Sequence, residues 1–68
     1  MKVKDILKKI NDAKLYIEIK EQAKNGGGSY GFFTKNDLIY NTKMQNYLIY
    51  SINIQYVNNK RLLVLEIK

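Results

Sequence analysis

The chain contains no cysteine and no histidine. Disulfides are therefore excluded, and the usual zinc ligands are missing. An imidazole general base and a thiolate nucleophile are excluded with them. No apolar run approaches the roughly 20 residues a membrane-spanning helix needs, and no secretory pattern opens the chain. The initiator methionine is present and no affinity tag is visible, which reads as a complete gene product. Together these absences predict a soluble, cytoplasmic protein without metal, cofactor or membrane partner.

Acidic side chains are also scarce, six against twelve basic ones, which leaves a net charge of +6. A basic balance points to nucleic acid or to an acidic protein as partner. Eleven of the twelve cations are lysine, however, and only Arg61 offers the planar fork that recognises phosphate or guanine in a bidentate manner. Lys, Asn, Ile and Tyr make up half the chain. All four have A/T-rich codons, so genome composition accounts for much of the lysine.

With 68 residues the chain is one small domain. A domain of this size buries only roughly 60% of its unfolded surface, so its core is thin. Small scaffolds usually add disulfides, a metal or self-association. The first two are closed here, and self-association remains.

Residues 3–12, VKDILKKIND, predict an amphipathic helix, with Val3, Ile6, Leu7 and Ile10 on one stripe. Lys2, Lys4, Lys8 and Lys9 lie off that stripe and form a candidate basic surface. So short a helix must dock on something to persist. Residues 14–21, KLYIEIKE, alternate as a half-buried strand does, with Leu15, Ile17 and Ile19 one way and Tyr16, Glu18 and Lys20 the other.

Residues 47–57 and 60–68 flank Asn58-Asn59, a pair suited to a two-residue hairpin turn because asparagine tolerates positive φ. That turn predicts Tyr56 opposite Arg61, Ile54 opposite Leu63, Ile52 opposite Leu65 and Tyr50 opposite Ile67 on a core face. Gln55, Asn53, Ser51 and Ile49 then face Leu62, Val64, Glu66 and Lys68 on the other side. Tyr50 and Tyr56 read as packing residues, whereas Tyr16 and Tyr47 are expected to look outward. Residues 32–46 remain open between a helical turn started by Thr34 and Asp37 and two short strands around Lys35-Asn36.

The loop expected at residues 22–31 holds Gly26, Gly28 and Gly31 in a G-x-G-x-x-G spacing. A dinucleotide cradle would need a long helix after it, and Phe-Phe-Thr follows instead. The loop therefore reads as a mobile connection. Gly26, Gly27 and Gly28 with Tyr30, Phe32 and Phe33 form a candidate binding loop that orders on contact. Catalysis lacks a base, and the six carboxylates are scattered. A non-enzymatic protein is expected.

The fold class expected is α+β: an N-terminal helix on one face of a small antiparallel sheet that ends in the 47–68 hairpin. One helix covers one face only. The other face would carry Tyr16, Tyr47, Ile49, Leu62 and Val64, too apolar for solvent. Either residues 32–46 fold across it or a second molecule does, with a homodimer the first expectation.

The opening KVKDILKKINDAKLYIEI, a V-x-D-[IL]-[IL] helix running into an alternating strand, resembles small phage and prophage accessory proteins of low-GC bacteria. The resemblance implies a setting, the cytoplasm of a host bacterium, and action on host machinery, defence systems or copies of itself. Its sharpest form is an inhibitor of the anti-CRISPR or anti-restriction kind. No functional residue is carried over. The alternative is a nucleic-acid-binding module that combines the helix lysines with exposed tyrosines, stacking bases while it holds phosphates.

Overall fold

A computed structural model describes residues 1–68. Four strands form one mixed sheet: β1 (Tyr16–Glu21), β2 (Ser29–Phe33), β3 (Ile49–Val57) and β4 (Lys60–Ile67). Three short helices accompany it: α1 (Val3–Leu7), α2 (Lys35–Ile39) and α3 (Thr42–Gln45). The strand order is β2-β1-β4-β3. The outer pairs are antiparallel, but the central pair β1–β4 is parallel. The expected antiparallel sheet is thus corrected to a mixed one. Side-chain alternation is the same in both kinds of ladder, so it carries no information on strand direction.

The topology explains where the helices lie. Strands β2 and β3 run the same way on opposite edges, so the chain between them must cross the sheet. Helices α2 and α3 make that crossing on the face where α1 packs. Val3 and Leu7 from α1 and Leu38 from α2 join Ile17, Ile19, Leu63, Leu65 and Ile67 in a single core. Met44 of α3 packs against its margin.

Local signals build the helices. The Asp5 carboxylate accepts from the Lys2 N–H at 2.8 Å, which ties down one of the free donors at the start of α1. That bond, with the nearby Lys8 and Lys4, holds the Asp5 carboxyl below the usual aspartate range despite some desolvation. The helix expected to reach residue 12 stops at Leu7. Lys9 and Ile10 donate instead to Ile6 and Leu7, three residues back, and Ile10 turns into the core. The Lys35 ammonium covers the Ile10 carbonyl at 2.8 Å. At α2, Thr34 and Asp37 bond reciprocally, Thr34 N–H to the Asp37 carboxylate at 2.9 Å and Asp37 N–H to the Thr34 hydroxyl at 3.3 Å. Gln45 clamps α3 to the end of α2 by donating to the Leu38 and Ile39 carbonyls.

The expected loop 22–31 is much shorter. Ala23–Asn25 form one 3-10 turn that ends at Gly26, whose φ of 110° suits only glycine. Residues 29–31 already belong to β2, where Gly31 has φ 122° beside an irregularity in the ladder. Phe32 and Phe33 complete that strand, so residues 32–46 combine a strand end with two helical turns.

Asn58 and Asn59 both have positive φ, 52° and 64°, between β3 and β4. From Val57 back to Ser51, each β3 residue faces the β4 partner given by that turn. The ladder then shifts at Tyr50, so Ile49 lies opposite Ile67 rather than Lys68. One extra residue moves every side chain beyond it to the other face. Ile49 therefore packs against the core, contrary to the outward position expected for it.

Candidate functional site

No helix crosses the second face of the sheet. Its side chains are ordered in rows by the ladder register. Ser29, Lys20, Glu66 and Ser51 make the first row. Phe32, Glu18, Val64 and Asn53 make the next. Tyr16, Leu62 and Gln55 follow, and Lys60 with Val57 end the face beside the turn.

The rows divide into two halves. In the polar half Ser29 donates to Glu18 at 2.9 Å and Ser51 donates to Glu66 at 2.8 Å. These carboxylates are spoken for by neighbouring hydroxyls, and nowhere do three acidic side chains converge. In the other half Tyr16, Phe32, Leu62 and Val57 line a shallow groove of about 420 Å³, with Lys60 and Arg61 at its end. Tyr16 is 52% exposed and Phe32 61%. Two aromatic rings thus open to water on adjacent strands, beside Lys60, the Glu18 carboxylate and Arg61, whose guanidinium pairs with Asp12 at 3.7 Å.

Of the residues singled out in the sequence, Tyr16, Leu62 and Val64 do share this face. Val64 is buried within it, beneath its neighbours on the central strand. Tyr47 and Ile49 do not belong there. Both pack against the core on the helical side. Tyr47 stacks on Tyr30 with ring centroids 5.9 Å apart, and its carbonyl accepts from the Val3 N–H at 3.0 Å. The Tyr30 hydroxyl donates to Glu21 at 3.3 Å. Desolvation first, then the Glu21 carboxylate, pushes the Tyr30 hydroxyl above the ordinary tyrosine range.

The candidate binding loop is likewise divided. Phe33 turns into the core margin and Tyr30 onto Tyr47, leaving Phe32 alone on the open face. Gly26, Gly27 and Gly28 shape the turn before β2. The Gly27 N–H donates to the Gln22 carbonyl and the Gly28 carbonyl accepts from the Glu21 N–H. The helix lysines lie elsewhere: Lys4 and Lys8 border a hollow with Lys35 on the helical side. They share no face with Tyr16.

The sequence left Phe32 in the open segment 32–46, counted with the candidate binding loop, and did not connect it with Tyr16. The signal was available in the alternation of Phe32 and Phe33, which sends one ring inward and one outward once the segment is a strand. Tyr50 and Tyr56, expected in the core, are exposed at 57% and 73%. No helix of the structure is long and apolar enough to cross a membrane. Comparison with protein-family models, with curated proteins and with solved structures finds no match.

Proposed function

We propose that this chain is a non-enzymatic binding protein that self-associates and presents the aromatic half of its open sheet face to a partner protein. In the setting implied by the phage-like opening, that partner is a host or defence-system protein, and the action is inhibition by occupancy. The observation carrying this reading is the position of all three helices on one face, which leaves Tyr16, Phe32, Leu62 and Val57 uncovered on the other. Exposed tyrosine and phenylalanine with arginine beside them is a composition enriched at protein interfaces. Burying a side chain of this size completely stabilises a complex by about 1.5–3 kcal/mol.

The test is retention of host protein from bacterial lysate on the immobilised chain, with Phe32→Lys/Leu62→Lys as the control. A discrete protein held through high salt by the wild type and released by the variant supports the reading. Equal retention by both rejects it.

A nucleic-acid reading is favoured by one observation, the shared groove of Tyr16, Phe32, Lys60 and Arg61. It relocates the contact from the helix lysines to the sheet. Its mark is anisotropy of a labelled single strand whose affinity drops steeply from low to moderate salt and disappears in Tyr16→Ala.

A further inference from the structure

We propose that β3 pairs edge to edge with the β3 of a second copy of this chain, antiparallel, about a two-fold axis through Ile54. The inference rests on the self-association proposed above and gives it a surface separate from the Tyr16–Phe32 groove.

The sheet has two edges, and they are treated differently. Proteins blunt exposed edges with short strands, bulges, proline or charge, because an unpaired row of N–H and C=O groups invites another strand. Strand β2 is short, five residues, and its ladder is broken beside Gly31. Strand β3 has nine residues, and the chain has no proline. Between Lys43 and Lys60 there is not one charged residue, although lysine is frequent before it and Lys60 and Arg61 follow directly. A chain of net charge +6 thus keeps one edge free of self-repulsion.

The start of this edge is already closed. Met1 accepts from the Ile49 N–H at 2.8 Å and Val3 donates to the Tyr47 carbonyl at 3.0 Å. The N-terminal segment then leaves as α1, and nothing covers β3 from Ser51 to Val57. The groups available there follow from the turn. A two-residue turn closes on the bonded pair Val57–Lys60, so Val57, Gln55 and Asn53 direct their backbone groups at β4. Ile52, Ile54 and Tyr56 direct theirs outward.

The same three residues project their side chains to the helical side, opposite Leu65, Leu63 and Arg61, yet all three are exposed. An antiparallel two-fold puts Ile54 against Ile54 and Ile52 against Tyr56, the β-branched and aromatic pairs that stabilise ladders. The resulting apolar cluster lies in the trough between the two helical layers. On the other side Asn53 faces Gln55, uncharged throughout. The operator is closed and self-complementary, so it stops at a dimer. It also places both open faces on one side of an eight-stranded sheet.

The absence of cysteine makes the test clean. Ile54→Cys places two thiols on the axis at a bonded pair, where Cα atoms lie about 5.5 Å apart, within disulfide reach. Mild oxidation should yield a covalent dimer released by reductant, while Leu62→Cys should yield none. Light scattering of the unmodified chain should give twice the monomer mass. Ile54→Pro should give a monomer with its amide spectrum retained, since proline is accepted where the N–H faces away from the sheet. Ile54→Lys should do the same by charge. A dimer that persists in folded Ile54→Lys, or that cross-links through Leu62→Cys and not through Ile54→Cys, overturns this interface and leaves self-association standing. A wild-type monomer at every concentration overturns both.

Discussion

Ile54 lies directly opposite Leu63 on the same face of the sheet, yet Leu63 is 7% exposed and Ile54 61%. The two differ only in position across the sheet. The helices cover the central strands β1 and β4 and the start of β3 at Ile49, and end before Ile52, Ile54 and Tyr56. Alternation therefore assigns Ile52, Ile54 and Tyr56 to the correct face without telling whether that face is covered at their position.

Leu65 is fully buried at the centre of the core. Leu65→Ala should cost about 2–5 kcal/mol. A chain of this size has roughly 3–10 kcal/mol in total at usual stabilities per residue, so the variant should be partly or largely unfolded in urea titrations. An unchanged midpoint would contradict the core described above.

The Asn58-Asn59 turn has positive φ at both positions. Asn59→Gly should hold or raise the melting temperature, since glycine adopts this conformation freely. A β-branched replacement, Asn58→Val, should destabilise by about 1–2 kcal/mol. Thermal unfolding should therefore place Asn58→Val clearly below the parent and Asn59→Gly at or above it.

Asp5 is held below its ordinary value of 3.8, chiefly by the Lys2 N–H. A carboxylate with a depressed folded value binds fewer protons in the folded state than in the unfolded one. Its contribution is present above the unfolded value and is lost as pH falls through the folded one. The melting-temperature advantage of the parent over Asp5→Asn should be full at neutral pH and shrink below about pH 4. A difference that is constant with pH would remove the Asp5 bond from the account.

Phe32 is exposed on the open face, so Phe32→Ser should change stability by no more than about 0.5 kcal/mol. If the groove binds a partner, the same substitution should abolish retention. A large loss of stability would instead make Phe32 a structural residue.

Several features were legible from residues alone. The α+β class follows from an amphipathic opening and alternating segments. The Thr34–Asp37 spacing offered the start of α2 as one of two alternatives, beside a pair of short strands. The two-residue period puts Leu62 and Val64 on one face of their strand; that Tyr16 joins them depends on the register of β1 against β4. Contacts between segments were not legible. Ile49 was expected outward because nothing in YLIYSINIQYV marks the bulge at Tyr50. Tyr47 was expected outward because its partners Tyr30 and Val3 are distant in sequence.

The sequence by itself determined the side-chain period of each segment, the Asn58-Asn59 turn, and the absence of cysteine and histidine. These are local properties, set by backbone sterics, side-chain period and composition. Only the tertiary structure decided that β1 and β4 run parallel, that α2 and α3 join α1 on one face, and that β3 is a bare edge. Those outcomes depend on how segments far apart in the chain pack together. The crossing from β2 to β3 can cover only one side of the sheet, and Tyr16 and Phe32 lie on the side it leaves open.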